Sequence, residues 1–240
     1  MRTAVFSDVH GNLEAFSRVL EDLEDQTFDQ VVCLGDLVGY GPDPEAVVRI
    51  IRERDIPCVL GNHEYGLSRS GARRHFNIMS EQSLDLTLEH ISPGILEYLS
   101  GLPTHMQLQD MHFVHGCPPD SVLTYLFELN DAGLQEIFAA AGWRHCFVGH
   151  THELELIEWH DGRIQREALT MGRLRLNGDK QIINIGSVGQ PRDGDNRAKY
   201  VLFDSERLEL EVRFVSYDIQ KTADKIVELG FPRFYADRLW

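Results

Sequence analysis

Residues 3–10 read TAVFSDVH, and residues 13–23 read LEAFSRVLEDL. The first run is apolar and then turns polar, which predicts a buried strand that ends near Ser7. The second run repeats its apolar residues at helical spacing, which predicts an amphipathic helix. The next elements predicted are strand 31–34, helix 46–54 opened by Asp43-Pro44, and strand 58–60. This alternation predicts right-handed crossovers and a largely parallel sheet.

The second half of the chain is rich in short strands. They are predicted over residues 111–114, 146–148, 154–159, 163–169, 182–185, 200–203 and 208–215. Helices are predicted over residues 80–102, with a break at 92–94, and over residues 131–141 and 218–229. Asp161-Gly162 predicts a hairpin turn. The order of the elements predicts an α/β protein with two facing mixed sheets and helices outside both, formed by residues 1–240 as one domain.

The composition narrows the class of protein. Hydrophobic residues make up 42% of the 240 residues and charged residues 25%, which is ordinary for a soluble globular protein. No apolar run approaches the ~20 residues that span a bilayer, and no signal peptide precedes the first strand, so we expect a cytoplasmic location. The four cysteines are scattered without a CxxC pair and are expected to be reduced. A formal net charge of −15 argues against an extended nucleic acid or an anionic membrane as partner.

Five polar clusters lie at the ends of apolar runs. They are Asp8-Val9-His10, Gly35-Asp36, Gly61-Asn62-His63-Glu64, His115-Gly116 and Gly149-His150-Thr151-His152. The carboxyl ends of strands in open α/β sheets meet at one edge, so we expect the clusters to converge there. In an extended backbone, residues two apart point to the same side, which would bring Asp8 beside His10 and His150 beside His152.

Imidazole and carboxylate ligands together suit manganese, iron or zinc. Two aspartates, one asparagine and four histidines are enough for two ions, and one carboxylate must bridge ions that lie about 3.5–4 Å apart. Taken singly, some clusters have ordinary interpretations. Residues 8–10 could be a strand end before a helix cap, residues 35–36 a turn, and residues 61–64 a turn before a helix. Together, each after an apolar strand, the five clusters favour a dinuclear metal site.

The ordered series Asp-x-His, Gly-Asp, Gly-Asn-His-Glu, His and Gly-His-x-His resembles the calcineurin-like metallophosphoesterase superfamily, over residues 3–197. Residues 35–44 and 184–192 resemble its small bacterial and archaeal phosphodiesterases. The resemblance implies a four-layer αββα sandwich with a dinuclear site between the tops of two sheets. It implies one ion held by Asp8, His10, Asp36 and His152, a second held by Asp36, Asn62, His115 and His150, and His63 facing the substrate.

The chain departs from the branch of the superfamily that acts on phosphoproteins and dinucleoside polyphosphates. That branch carries Gly-Asp-x-Val-Asp-Arg-Gly, whereas residues 35–41 read GDLVGYG. Gly39 replaces the aspartate that would pair with the catalytic histidine, and Tyr40 replaces the arginine that would bind the phosphate group. The candidate substrate contacts are Arg192, Asn184, Arg73 and Tyr40. Arg192 and Asn184 could equally shape their loop, and Arg73 could be a solvated surface charge.

The resemblance implies a phosphodiesterase for small phosphate esters, in which a hydroxide that bridges two divalent ions attacks phosphorus. A protonated His63 would stabilise the developing charge or supply a proton to the leaving oxygen. Manganese is the expected metal, with iron or zinc as alternatives. The alternative functions are a protein-serine/threonine or dinucleoside-polyphosphate phosphatase, and a non-catalytic metal-binding scaffold of the same fold. Tyr125 and Phe127 are expected to pack in the core or a lid rather than stack on a nucleobase.

Overall fold

The computed structural model describes residues 1–69 and 71–240. Within these ranges it contains eleven strands and eight α-helices. The strands are β1 (Arg2–Phe6), β2 (Gln30–Cys33), β3 (His105–Leu108), β4 (Met111–Val114), β5 (His145–Val148), β6 (Leu154–His160), β7 (Arg163–Ala168), β8 (Gly172–Arg175), β9 (Lys180–Ile185), β10 (Ala198–Asp204) and β11 (Glu209–Val215). The helices are α1 (Leu13–Glu24), α2 (Pro44–Glu53), α3 (Asn62–Ser68), α4 (Ile78–Glu89), α5 (Pro93–Ser100), α6 (Asp131–Ala140), α7 (Ile219–Glu228) and α8 (Arg233–Asp237).

The strands form two sheets of mixed direction. The first sheet has the order β2-β1-β10-β11-β8, and the second has the order β3-β4-β5-β9-β6-β7. β1 and β2 run parallel in the first sheet, and β4, β5 and β9 run parallel in the second. The other neighbouring strands described are antiparallel.

The largely parallel sheet expected from the first 60 residues is therefore wrong. The second neighbour of β1 is β10, which pairs with it in antiparallel register from Arg2↔Asp204 to Val5↔Val201. The predicted strand 58–60 forms one bridge, between Cys33 and Cys58. It ends there because the chain enters helix α3 at Asn62.

Successive side chains of a strand point to opposite faces of its sheet, and they form three apolar clusters, one between the sheets and one on the outer face of each sheet. In β1, Ala4 and Phe6 belong to the cluster that includes α1 and α2, whereas Val5 belongs to the cluster between the two sheets. In β5, Phe147 lies in the cluster between the sheets, and Cys146 lies in the cluster that includes α6. The layers are therefore helices, sheet, sheet and helices, which is the four-layer αββα sandwich that the resemblance implied.

Several short elements were not expected from the sequence, among them β3, β8 and α8. β3 and β8 are four-residue strands at sheet edges, and all of their residues are exposed or half-buried. Such strands lack the clean apolar alternation that a sequence pattern needs. Helix α8 covers five residues, too few to show a helical period.

The C-terminal segment lies beside the loops that follow β1 and β2. An apolar cluster joins α7 and α8 to Tyr40, in the loop after β2, and to Leu86 in α4. The Thr222 hydroxyl donates a hydrogen bond to Asn12 Oδ1 (3.1 Å), just before α1. None of the helices described combines the length and the apolar character needed to cross a lipid bilayer.

Candidate metal centre

The loops after β1, β2, β4, β5 and β9 meet at one end of the two sheets. Backbone hydrogen bonds tie them in pairs: His10 N to Asp36 O (2.9 Å), Gly149 N to His115 O (2.9 Å) and Gly189 N to Asp8 O (2.8 Å). The first turn of α3 joins them, because His63 N donates to Asp36 Oδ1 (2.9 Å). The five polar clusters therefore converge, as expected for the carboxyl ends of parallel strands.

Five of the candidate ligands have a left-handed backbone. The φ angle is +56° at Asp8, +49° at His10, +51° at Asp36, +68° at His150 and +64° at His152. Aspartate and histidine adopt this conformation more readily than most residues, and such residues cluster at functional sites that the surrounding structure holds in place. The extended backbone expected between the paired residues is therefore wrong. Their side chains converge because each of these residues turns left-handed.

One group of ligand atoms comes from Asp8, His10, Asp36 and His152, which lie close enough together to hold a metal ion. The Nε2 atoms of His10 and His152 are 3.0 Å apart. Asp8 Oδ1 lies 3.3 Å from His152 Nε2, and Asp36 Oδ2 lies 3.6 Å from His10 Nε2. All four residues are buried.

A second group comes from Asp36, His115 and His150. Asp36 Oδ2 lies 3.3 Å from His115 Nε2. The amide oxygen of Asn62 lies 3.0 Å from the same nitrogen, which places a further oxygen at this group. Asp36 belongs to both groups, so its carboxylate is placed to bridge two ions.

Backbone carbonyl groups determine which ring nitrogen of each histidine is available to bind a metal ion. One ring nitrogen of each histidine lies within hydrogen-bond distance of a backbone carbonyl oxygen. The pairs are His10 Nδ1 with Val38 O (3.0 Å), His115 Nδ1 with Leu34 O (2.8 Å), His150 Nε2 with Leu123 O (3.1 Å) and His152 Nδ1 with Gln190 O (2.6 Å). A carbonyl oxygen only accepts, so each of these ring nitrogens carries the proton. When such a ring is neutral, its other nitrogen keeps its lone pair for a metal ion. This is the outer-shell arrangement typical of metal-binding histidines.

The electrostatics of the centre favour bound cations. Burial opposes ionisation of Asp8 and Asp36, but the neighbouring imidazoles outweigh it and hold the pKa of both carboxyls below the ordinary value. Burial also lowers the pKa of His115, yet the Asp36 carboxylate raises it to about 10, so this ring carries a second proton that a bound metal ion would displace. Asp8 Oδ1 is buried without a hydrogen-bond partner among the residues described. Two buried negative charges and an unsatisfied carboxylate oxygen fit a pair of divalent ions.

His63 lies in the first turn of α3, beside the first ligand group. Its ring packs against the rings of His10 (4.7 Å between centroids), Tyr40 (4.4 Å) and Phe76 (5.3 Å). Burial lowers the pKa of His63 well below its usual value, so the ring is neutral at pH 7. The residue is 1% exposed, and the protonated ring expected during the reaction stays a prediction.

Glu64 is a positioning residue that the sequence-based assignment of roles missed. Its Oε1 accepts hydrogen bonds from Leu37 N (2.8 Å) and Val38 N (3.2 Å), and its Oε2 accepts from Asp36 N (2.9 Å) and Gly61 N (3.0 Å). Burial and the Asp36 charge raise the pKa of Glu64 to about 7, although four N–H donors favour the carboxylate form. The carboxylate joins the loop of Asp36 to the start of α3. The capping-box position of a glutamate three residues after Gly61 is the sequence signal for this role.

A cavity of about 140 Å³ adjoins the second ligand group at Asn62. Tyr40 and Arg192, two of the predicted substrate contacts, line it. The C-terminal segment contributes Tyr235 and Arg238, which sequence reasoning did not find. No local pattern marks these two residues, because they reach the cavity through the packing of α7 and α8.

The other two predicted substrate contacts lie elsewhere. Arg73 forms an ion pair with Asp85 and is not among the residues that line this cavity. Asn184 Nδ2 donates to Thr151 Oγ1 (2.6 Å), which shapes the loop that carries His150 and His152. Tyr125 stacks on His150 with 3.7 Å between the ring centroids, so it packs against the centre while also lining the cavity.

Known phosphoesterases resemble this chain in sequence and fold. A model of the calcineurin-like phosphoesterase superfamily domain matches residues 1–207. The structure of a metallophosphoesterase from Sphaerobacter thermophilus is 34% identical, with a TM-score of 0.86 over 100% of this chain and 98% of that chain. An uncharacterized protein of Methanocaldococcus jannaschii is 35% identical over 243 residues, covering 99% of this chain and 96% of the relative. A symmetrical bis(5'-nucleosyl)-tetraphosphatase of Coxiella burnetii is 34% identical over 104 residues, covering 42% of this chain and 34% of that enzyme.

Proposed function

The chain belongs to the calcineurin-like phosphoesterase superfamily of metal-dependent phosphoester hydrolases, and we propose that it is a phosphodiesterase for small phosphate esters. The observation that carries the proposal is the pair of ligand groups that share the Asp36 carboxylate. Two ions joined by one carboxylate are an arrangement suited to in-line displacement at phosphorus. Each proposed ligand position carries a side chain that can bind a metal ion, and the proposed catalytic histidine, His63, is present. We therefore favour an enzyme over a non-catalytic scaffold.

In this proposal each ion has its own set of ligands. The sets are Asp8, His10, Asp36 and His152 for one ion, and Asp36, Asn62, His115 and His150 for the other. Manganese is the proposed metal, with iron or zinc as alternatives, because the set mixes imidazole nitrogen with carboxylate and amide oxygen.

The bound ions would supply the positive charge that orients a phosphate group and makes a water molecule acidic. The chain holds the ligands at fixed positions, and the carbonyl partners keep each imidazole in the required tautomer. We propose that His63 donates a proton or a hydrogen bond to the leaving oxygen. A phosphate anion beside the buried ring would raise the pKa of His63 again, so the ring would take up its proton together with the substrate.

The size and lining of the cavity support a small substrate. At about 140 Å³ and bordered by aromatic rings, the cavity suits a small ester better than the surface of a folded protein. Gly39 and Tyr40 stand where phosphoprotein phosphatases would carry an aspartate and an arginine. A dinucleoside-polyphosphate phosphatase is the second candidate, favoured by the local match to the Coxiella burnetii enzyme and disfavoured by the same two positions.

We also propose that residues 1–240 act as one domain. The family match ends at residue 207, but Tyr235 and Arg238 line the cavity beside the candidate centre. The C-terminal segment would therefore belong to the same functional unit. A cytoplasmic location stays a prediction from the sequence.

Hydrolysis assays on metal-stripped protein test the proposed function. Wild-type protein with Mn²⁺ added back is expected to hydrolyse bis(p-nitrophenyl) phosphate faster than p-nitrophenyl phosphate. Asp36→Asn and His63→Ala should each lose turnover, and only Asp36→Asn should also lose bound Mn²⁺. Asp224→Asn makes the same carboxylate-to-amide change on the exposed face of α7 and should keep full activity.

Two results would contradict this proposal. Preference for the monoester would replace a phosphodiesterase with a phosphomonoesterase. Stoichiometric binding of two Mn²⁺ per chain without turnover of either ester would favour the metal-binding scaffold.

A further inference from the structure

Two arginines stand at the boundary between two neighbouring cavities. Arg192 and Arg238 line the cavity of about 140 Å³ beside the candidate metal centre. Both also line a second cavity of about 260 Å³, together with Trp240. The two arginines come from distant parts of the chain: Arg192 follows β9, and Arg238 follows α8.

Arg192 is tied to the metal centre through its backbone. Its N–H donates to the carbonyl oxygen of His152 (3.0 Å), a proposed ligand. One guanidinium nitrogen donates to Gln190 Oε1 (3.1 Å). The Nε atom is buried and has no hydrogen-bond partner among the residues described. A buried guanidinium N–H without an acceptor has a cost that a bound anion would remove.

The guanidinium group of Arg238 contacts an aromatic ring rather than a carboxylate. Its guanidinium lies over the ring of Phe234, 5.4 Å from the centroid. In the part of the chain that the structure describes, neither Arg192 nor Arg238 forms an ion pair, whereas Arg197 pairs with Asp195 and Arg213 pairs with Asp22. Asp195 also lines the second cavity, but Arg197 holds its carboxylate. The two cavity arginines therefore keep their charge available.

The two guanidinium groups also repel each other. Burial and the charge of Arg192 lower the pKa of Arg238. Two cations that share one cavity without a carboxylate partner raise the free energy of the protein, and an anion between them lowers it. Planar guanidinium groups match the oxygens of a phosphate and bind it through paired hydrogen bonds.

We propose that Arg192 and Arg238 together bind a phosphate group of the substrate, in place of the arginine that is missing at position 40. This inference rests on the proposed function and deepens it. It assigns part of the substrate site to the C-terminal segment, beyond residue 207, where the family match ends. The organic part of the ester then lies against the aromatic rings of the smaller cavity, which include Phe76, Tyr125 and Tyr235.

Variants of the two arginines test the inference with inorganic phosphate as the probe. Phosphate is titrated calorimetrically into Mn²⁺-loaded protein, and KM and kcat are measured with p-nitrophenyl phosphate. Arg192→Gln and Arg238→Gln are each expected to weaken phosphate binding and raise KM about tenfold to 100-fold, with bound Mn²⁺ unchanged. Arg238→Lys should restore only part of the loss, because an ammonium group lacks the planar fork.

Arg233→Gln is the matched control. Arg233 begins α8, the short helix that Arg238 follows; its side chain is 80% exposed and pairs with Asp237, so its loss should leave phosphate binding and KM unchanged. Wild-type phosphate affinity in both glutamine variants, or no phosphate binding by the wild type, would overturn the inference. A wild type that binds phosphate but hydrolyses neither ester would instead contradict the proposed function, and the calorimetric comparison of variants would still decide the role of the arginines.

Discussion

Gly39 lies directly against the ring of His63. A Cβ atom at position 39 would overlap Nδ1 of His63 and would lie 2.7 Å from Cε1, and the backbone of Gly39 has a φ angle of +84°. His63 Nδ1 is buried without a hydrogen-bond partner among the described residues. The orientation of His63 is therefore set by packing against Gly39, Tyr40 and Phe76 rather than by a carboxylate at position 39.

Replacing Gly39 with alanine should displace His63 and lower kcat. A misplacement of about 1 Å at a reacting group costs up to about 100-fold in rate, so we expect a fall of about tenfold to 100-fold. Bound Mn²⁺ should be unchanged, because neither residue is a proposed ligand. Steady-state assays with bis(p-nitrophenyl) phosphate and metal analysis check both parts.

Gly162→Ala is the control for backbone strain in that experiment. Gly162 has a φ angle of +80°, and a Cβ atom there would meet nothing within 4 Å. Equal loss of activity in both variants would mean that strain, and not the contact with His63, causes the effect.

Glu64→Gln should weaken both the fold and the metal centre. The carboxylate accepts four backbone N–H bonds around Asp36 and Gly61, and the amide nitrogen of glutamine would face two of these donors. We expect a loss of about 2–5 kcal/mol in the free energy of unfolding and Mn²⁺ affinity lower by about tenfold to 100-fold. Urea denaturation and calorimetry measure the two effects. The exposed change Glu97→Gln should alter neither, and wild-type Mn²⁺ affinity in Glu64→Gln would contradict the positioning role.

Chelation should lower the thermal stability of the protein. Each ion that binds the folded chain alone stabilises it by about 2.7 kcal/mol at a concentration 100 times Kd. For a chain of this size that corresponds to about 5–10 °C in Tm for each ion. Scanning calorimetry with EDTA and with Mn²⁺ should show this difference. Asp36→Asn should reduce it, since Asp36 belongs to both ligand groups. An equal Tm with and without metal would count against a dinuclear centre.

Asp22 should contribute stability that depends on pH. Its carboxylate accepts hydrogen bonds from Arg213 (2.7 and 2.8 Å) and from the Tyr200 hydroxyl (2.6 Å), which joins α1 to β10 and β11. The hydrogen bonds of Arg213 lower the pKa of Asp22. The stabilisation is therefore full above the unfolded pKa of about 3.9 and is lost as pH falls through the lower folded value.

Asp22→Asn should accordingly lower the free energy of unfolding by about 1–3 kcal/mol at pH 7, and the difference from wild type should shrink below about pH 4. Denaturant unfolding across pH measures it. Glu21→Gln breaks an exposed ion pair with Arg18 on the same helix and should change stability by less than about 1 kcal/mol. A difference that stays constant down to pH 2 would exclude the ionic contribution.

The sequence by itself predicted most of the longer helices and strands and indicated the chemistry of the centre. Apolar periodicity placed α1 and β1, and the polar clusters after apolar strands indicated a metal site of mixed nitrogen and oxygen ligands. These are local properties: a helix or strand period and a turn residue depend on neighbours a few positions away.

Only the tertiary structure decided the partners of these elements. In the folded chain β10 pairs with β1, and Arg73 forms an ion pair with Asp85. Backbone carbonyl groups set the histidine tautomers, and Arg238 lines the same cavity as Arg192. Each of these contacts joins residues from separate elements, some of them far apart in sequence. The free energy of these contacts depends on how the helix and sheet layers pack against each other. A local pattern in the sequence therefore does not predict them.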